Sequence, residues 1–414
     1  MASERRVTTI AGYVNDRVRM GSNATLDLGL RFGESTGRAA GAAGGITWAG
    51  LLPRVSLRWA PSFVTLFAGY GRYQPDVPLH MLAFGDPGES LRRVYRWNDT
   101  NADRVFDASE QGVLVALAGR APTIASIDPA LKSPHTDELT FGAERRVGAS
   151  FVLSFTGTVR QESGIPRSVN TGVPLSSYQV RNVMDQGVFY DSADDDRLLP
   201  TYDRLPASFG QDRYLLTNVD GDDASYKGIE IAVAVTRPRW WSFAGASAYR
   251  ADGAGGNRGF NSDQNDQGVV AEIFENPNAN SYPLGRLFFD RAYVLKWATG
   301  FEAPHDVSAT VVARYQDGQP FSRQVVAPDL AQGAELISAY PSGRTRFTFT
   351  ATVDARLEKR FAIGRRRASV RLELYNLTNL GLEVEENPLT GANFRRTTAV
   401  QPPRTLRLGF HVAF

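Results

Sequence analysis

The sequence predicts an all-β fold: the antiparallel wall of a transmembrane β-barrel, with about 13 long strands, short turns on one rim and long loops on the other. Three observations carry that expectation. Apolar and polar side chains alternate with a period of two along the whole chain, helical spacing is almost absent, and short and long connections take turns. Successive side chains of a strand point to opposite faces, so strict alternation builds one apolar wall and one polar wall.

Taken in order, Leu26, Leu28, Leu30 and Phe32 oppose Asp27, Gly29 and Arg31, and Val55, Leu57 and Trp59 oppose Arg54, Ser56 and Arg58. The pattern returns in Leu139, Phe141 and Ala143, in Phe151, Leu153 and Phe155, and in Ile229, Ile231, Val233 and Val235. Its longest run puts Phe347, Phe349, Ala351, Val353, Ala355, Leu357 and Phe361 against Thr348, Thr350, Thr352, Asp354, Arg356, Glu358 and Arg360. Val370, Leu372 and Leu374 follow, and then Leu406, Leu408, Phe410, Val412 and Phe414. Strands of roughly 9 to 19 residues exceed the usual globular length and suit a tilted membrane crossing.

Tight connections are expected at Met20–Ser22, Ala60–Ser62, Val147–Ala149, Pro238–Arg239, Ala303–Pro304 and Ala362–Arg366. Long ones are expected at Glu34–Leu51, Gln74–Thr136, Gln161–Ala224, Ala251–Leu287, Asp317–Thr345 and about Glu386–Pro403. A soluble sandwich has no reason to sort loop lengths this way, whereas an outer-membrane barrel keeps turns in the periplasm and loops outside the cell. A barrel this wide cannot fill its interior with side chains, so its charged face lines water and its apolar face meets lipid. Trp48, Trp59, Tyr70, Tyr73, Trp240, Trp241, Tyr249, Phe288, Phe289, Tyr293, Trp297, Tyr315 and Phe361 fall near strand ends, where interfacial girdles are expected.

Composition narrows the function classes. The 414 residues carry 46 basic against 44 acidic side chains, a net charge of +2 that implies no nucleic-acid partner. With no Cys, thiolate metal sites, disulfides and cysteine nucleophiles are excluded, and the four scattered His leave little for a metalloenzyme. No apolar stretch reaches the length of a membrane helix, and Met1–Arg6 lacks the core of a secretory signal. The chain is therefore expected to be intracellular as written or to lack its true beginning.

No nucleophile elbow, zinc-protease motif or phosphate-binding loop stands out, so an enzyme is not expected. One segment carries metal chemistry: residues 99–110 (DTNADRVFDASE) place Asp99, Asn101, Asp103, Asp107 and Glu110 at positions 1, 3, 5, 9 and 12 of a calcium loop, with the Val105 carbonyl at position 7. Calcium takes six to eight oxygens and this spacing converges them. Arg104 stands where the sharp turn ordinarily demands Gly, which weighs against the calcium geometry and toward a solvated acidic loop, the other reading of the same residues. Two weaker acidic clusters are Asp194, Asp195 and Asp196, and Asp220, Asp222 and Asp223. The polar-face charges Asp27, Arg54, Arg58, Glu138, Glu144, Arg160, Asp354, Arg356, Glu358, Arg371 and Glu373 either line a lumen or balance one another across strands. Tyr95, Trp97, Phe189, Tyr190, Phe260 and Phe274 are the loop aromatics positioned to touch a solute.

The segments LPRVSLRWAPSFVTLFAGYGRY (52–73), SPHTDELTFGAERRV (133–147), YKGIEI (226–231), FDRAYVLK (289–296), ARLEKRF (355–361), RLELYNLTN (371–379) and TLRLGFHVAF (405–414) resemble the TonB-dependent outer-membrane receptors. The resemblance points to the Oar-like branch with a carboxypeptidase-regulatory-like N-terminal extension. It implies the C-terminal part of a 22-stranded barrel over residues 1–414, without the plug domain, the TonB-contacting segment or a signal peptide. It implies partners too: outer-membrane lipid, TonB and a plug domain in the full-length protein, and the barrel-assembly machinery acting on the strand that ends at Phe414. The expected role is a cell outer-membrane receptor for a large or scarce solute, with no cofactor unless calcium sits in an extracellular loop. A stand-alone passive channel or adhesin, and a secreted β-rich binding module, remain the rival readings.

Overall fold

The structure, a computed structural model, describes residues 3–186, 196–221, 223–254, 277–279, 281–282, 284–364 and 366–413. One antiparallel sheet of fourteen strands dominates it, and thirteen of them form a continuous path in chain order. These are β1 (Arg5–Met20), β2 (Ala24–Ala39), β3 (Gly45–Trp59), β4 (Thr65–Tyr73), β5 (His135–Val147), β6 (Phe151–Ser163) and β7 (Ala224–Arg237). They continue as β8 (Trp240–Ala254), β9 (Tyr293–Ala303), β10 (Val307–Gln316), β11 (Thr350–Ile363), β12 (Arg366–Tyr375) and β13 (Thr405–Ala413). The fourteenth, Leu284–Arg286, pairs with β8 off the path. Among the described residues β1 and β13 each pair with one neighbour and not with each other.

Register carries the alternation from strand to strand. Leu28 lies opposite Val55, Val55 opposite Tyr70, Tyr70 opposite Leu139 and Leu139 opposite Val159. Beyond them Phe155 meets Ile231, Ile231 meets Ala246, Ala246 meets Leu295 and Leu295 meets Tyr315. Ala313 then faces Val353, Ala355 faces Leu374 and Leu374 faces Leu406. A register slip of one residue in any strand would turn its apolar set to the other face. The result is one apolar face thirteen strands wide, and it is open: Leu30, Ile229, Leu357 and Phe410 are all exposed, and Leu408 is 72% exposed.

The turns at one rim are residues 21–23, 60–64, 148–150, 238–239, 304–306 and the one at Gly364, as the sequence predicts. Gly21 supplies a left-handed residue at φ 69°, and in the three-residue turn 304–306 His305 and Asp306 take φ 64° and 59° themselves, the left-handed conformation that tight hairpin loops use. At the other rim the connections are long, with one correction. Glu34–Leu51 is not a long loop, because β2 runs on to Ala39 and β3 starts at Gly45, leaving only residues 40–44 between them. Ser35, Gly37, Ile46 and Trp48 extend the ladder because a short 3-10 turn, Leu79–Ala83, lies on them; a Cβ on Gly37 would come within 2.9 Å of Leu82.

The Asn376-Leu377-Thr378-Asn379 element has a structural reason. Asn376 sits at φ 48°, and its buried side chain donates to the Leu380 and Pro402 carbonyls, both at 2.9 Å, while accepting from the Leu380 N–H at 3.1 Å. Asn379, at φ 53°, accepts the Arg404 N–H at 2.9 Å. The two asparagines thus clamp the exit of β12 to the entrance of β13. Asn376→Ala removes the three hydrogen bonds that its buried amide makes to Leu380 and Pro402 and should lower stability by roughly 1–3 kcal/mol, read as an earlier urea midpoint of the detergent-folded chain; an unchanged midpoint would refute the clamp.

Candidate functional site

The site of interest is the polar face and the canopy of loops that roofs its long-loop end. On the polar face the charges pair across neighbouring strands. Arg17 meets Asp27 at 2.5 Å, Arg160 donates to Glu138 at 2.9 and 2.5 Å, and Arg314 approaches Asp354 at 3.8 Å. Glu358 receives Arg356 at 2.7 Å and Arg371 at 3.3 Å, and Arg407 reaches Glu373 at 4.0 Å. Of the two sequence readings for these charges, mutual balance describes the pairs that form.

The canopy begins where loop 74–134 folds back onto the strands. Val77, Met81, Leu82 and Phe84 pack on Ile46 and Trp48, joined by Ile124 and Ile127, and by Tyr214 and Leu216 of loop 164–223. Segments Ala125–Ile127 and Tyr214–Asn218 pair in parallel, so the two loops share backbone hydrogen bonds as well as a core. Trp48 is therefore 1% exposed beneath a loop and no part of a girdle. Tyr73, Trp241 and Tyr249 also leave the girdle, since their registers place them with Arg54, Thr236 and Gly228 on the polar face. Trp59, Tyr70, Trp240, Tyr293 and Trp297 stay exposed on the apolar face.

Loop 317–349 joins through ion pairs. Arg323 grips Asp185 with two bonds of 2.7 Å, both side chains fully buried, and donates to Thr390 of loop 376–404 at 2.9 Å. Arg204 holds Asp212 at 3.1 and 3.2 Å, and Asp212 in turn accepts the Leu117 N–H at 2.8 Å, which ties loop 164–223 back to loop 74–134. Around Leu199, Val325, Ile337, Ala339 and Tyr340 a second small core closes. None of these contacts was foreseen: their partners lie as much as 138 residues apart, beyond any local spacing signal.

The sequence-predicted calcium loop forms the tip of a hairpin, Leu91–Trp97 with Gln111–Gly119, that stands out from the canopy. Arg104 takes φ 61° and Ala102 φ 58°, so the sharp turn forms without glycine. The Asp99 Oδ2 accepts the Arg104 N–H at 3.1 Å, Asn101 Oδ1 accepts that of Asp103 at 3.0 Å, and Asp103 Oδ1 accepts that of Val105 at 2.7 Å. The Oδ1 of Asp99 is buried without a hydrogen-bond partner. Val105 and Phe106 point to solvent, and Asp107 forms a capping box with Glu110. Glu110 is buried and turned to its own strand: Trp97 Nε1 and the Thr100 N–H donate to it at 3.0 Å, and the Asp107 N–H at 3.2 Å. The indole bond, helped by those backbone donors, holds the Glu110 carboxyl below the usual carboxylate range. Among the described residues no three His, Asp or Glu side chains converge at metal-holding distance. Asp194, Asp195, Asp222, Phe189, Tyr190, Phe260, Phe274 and Phe414 lie outside the described residues.

No family model and no curated protein matches the chain. Solved structures do. The siderophore receptor PirA from Acinetobacter baumannii aligns with a TM-score of 0.55 at 12% identity, over 98% of this chain and 45% of that one. The FrpB iron transporter from Neisseria meningitidis aligns at 0.53 and 12% identity, over 98% and 45%. The ferripyoverdine receptor of the outer membrane of Pseudomonas aeruginosa aligns at 0.52 and 12% identity, over 98% and 38%. The chain has the fold of part of these outer-membrane receptor barrels and spans less than half their length.

Removing one member of the Arg323–Asp185 pair strands a buried charge and should cost roughly 3–5 kcal/mol, whereas replacing both with apolar residues of similar volume is near neutral. Arg323→Met and Asp185→Leu should each open the loops to limited proteolysis in whole cells, and the double variant should close them again; equal cleavage of all four proteins would remove the pair from the account.

Proposed function

We propose that this chain is the wall of an outer-membrane receptor of the TonB-dependent type, for a large or scarce solute, and that it forms part of a wider barrel. The observation that supports it best is the exposed apolar face. Monomeric soluble proteins rarely expose apolar patches above a few hundred Å², and this one runs across thirteen registered strands. On β7 the apolar ladder Ile229, Ile231, Val233, Val235 is bracketed by Lys227 and Arg237. Ten steps of about 3.3 Å, tilted by roughly 40°, cover about 25 Å, the height of a barrel's lipid-facing band.

The part-of-a-barrel reading rests on the two unpaired edges and on the fraction of each neighbour that the chain covers. Since β1 and β13 run the same way, they cannot meet as an antiparallel pair. In the complete protein, TonB acting on a plug would release the solute. The neighbours named for iron and siderophores make a ferric chelate the first solute to try. A chain that forms this wall should fractionate with outer membranes, shift its gel mobility on heating, and give no stable unitary conductance in planar bilayers. Stable single-channel steps would favour the passive-channel reading instead, and monodispersity without detergent would end both.

Calcium binding at residues 99–110 is proposed alongside. Asp99, Asn101, Asp103, the Val105 carbonyl, Asp107 and Glu110 supply oxygens of the type calcium takes, the turn geometry is in place, and Asp99 Oδ1 lacks a partner. Binding requires Glu110 to leave Trp97. Calcium should therefore change Trp97 emission, with half-saturation on the order of 10⁻⁴–10⁻³ M as for extracellular modules, and Asp103→Asn should raise that concentration about tenfold. No calorimetric heat and no emission change in that range would sink the proposal.

Acid should loosen the same loop. The pKa of Glu110 is lowered by folding, so its contribution to stability is fully present above the unfolded carboxylate pKa and is lost as pH falls through the depressed folded value. Glu110→Gln should abolish that acid-induced change in Trp97 emission, and an unaltered titration would reject it.

A further inference from the structure

We propose that Glu335 is a proton-operated latch of the canopy. With its carboxyl neutral it fastens segment 277–279, in the connection from β8 to β9, to strand Asp196–Arg204 and to loop 317–349; ionised, it lets that segment part from them. The canopy roofs the polar face, so the latch sets access to that face whatever the solute.

The three loops meet through amide groups. Asn278 is fully buried, and its side chain accepts the Tyr202 N–H at 2.7 Å, donates to the Tyr202 carbonyl at 2.8 Å and donates to Glu335 Oε2. Gln332 accepts the Arg204 N–H at 2.8 Å, donates to the Tyr202 carbonyl at 2.9 Å and also hydrogen-bonds Glu335. A single carboxyl thus joins the amide of one loop to the amide that holds the next.

Charge sets Glu335 apart. Asp185, Asp203, Asp212, Asp290 and Glu386, which also tie loops together, each hold an arginine. Glu335 holds none among the described residues, and its partners are two neutral amides. The charged groups that face it stand on strand Asp196–Arg204. Arg204 is engaged by Asp212 at 3.1 and 3.2 Å, and Asp203, bonded to Arg181 at 2.6 Å, is a second negative charge. Segment 277–279 and the cross-strand partner Gln324–Ala327 contribute no titratable side chain.

Ionising a half-buried carboxyl that lacks a counter-ion is costly, and parting Asn278 from it admits the water that removes the cost. Burial accordingly raises the Glu335 carboxyl above the usual carboxylate range, with the two amides and Arg204 opposing and Asp203 reinforcing. Because folding raises this pKa, the stabilisation of the junction is fully present below the unfolded carboxylate pKa and is lost as pH rises through the folded value. Glu110 responds in the opposite sense, so the direction of the effect tells the two groups apart.

The chain has no Cys, so spin labels at Ala279→Cys and Ala334→Cys, both exposed positions, report the junction alone. In double electron–electron resonance on the whole chain in mild detergent, one short distance should hold in acid and give way to a longer one as pH rises above the ordinary carboxylate range. One proton per opening limits the open-to-closed ratio to about a tenfold rise per pH unit. Glu335→Gln, neutral at every pH, should keep the short distance throughout, and Asn278→Ala should show the long one throughout, with circular dichroism checking that the strands of each variant have formed. An unchanged chain whose distances ignore pH, a Glu335→Gln chain that still opens, or an Asn278→Ala chain that still closes in acid would each overturn the proposal.

Discussion

The structure depends on one constraint: a sheet whose apolar face is not covered by protein must meet something other than water. Leu30, Ile231, Leu357 and Leu408 stand on one continuous face and remain exposed. Burying such side chains is worth about 1.5–3 kcal/mol each relative to leaving them in water. On the proposed reading hydrocarbon would supply that burial from outside, which would free the opposite face to carry Asp27, Glu138 and Arg160 in the wet. The inside-out polarity is then a consequence of geometry, since the strands are too many to close around a dry centre.

The long-loop rim solves a different problem. Loops of this length have no hydrocarbon to rest on and must order one another. They do so with two small apolar cores and with ion pairs such as Arg323–Asp185 and Arg204–Asp212, each satisfied by two hydrogen bonds. Buried pairs of this kind add little net stability, because desolvation consumes the Coulomb gain. Their effect is positional: a guanidinium fork accepts one carboxylate geometry, so Arg323 fixes loop 317–349 relative to Asp185 and, through Thr390, to loop 376–404. The parallel pairing of Ala125–Ile127 with Tyr214–Asn218 does the same through the backbone. A surface meant to recognise a solute gains from such mutual locking, because less ordering remains to be done on binding.

What the sequence made legible follows from how local each signal is. The period-two ladders at Leu26–Phe32, Val55–Trp59, Ile229–Val235 and Leu406–Val412 were readable because a sheet with one apolar face places the same chemistry at every second residue. The Gly37 and Ile46–Trp48 region was misread as loop because its apolar residues are sparse and fall on the polar face, where only the returning Leu79–Ala83 segment explains them. Trp240 and Trp241 are adjacent, yet one lies on the apolar face and the other on the polar face. Composition near strand ends cannot separate them without the register. Residues 99–110 announced an acidic turn in sequence, but not that Arg104 would take the left-handed conformation in place of Gly, nor that Glu110 would bond to Trp97, which depends on hairpin pairing. The canopy contacts were invisible for the same reason that they are effective: they join residues far apart in the chain.

The two edges complete the reasoning. Among the described residues one row of backbone N–H and C=O groups on each of β1 and β13 has no partner in the sheet, and in hydrocarbon each such group would cost several kcal/mol. Water-soluble sheets tolerate an edge by hydrating it, an option a membrane wall lacks. Direct joining of β1 to β13 fails because they run the same way. An odd number of further antiparallel strands between them restores alternation of direction around the ring and pairs both rows at once. Any strands that completed such a ring would therefore be odd in number, apolar outward, with edges that continue the ladders of Val14 and Leu408.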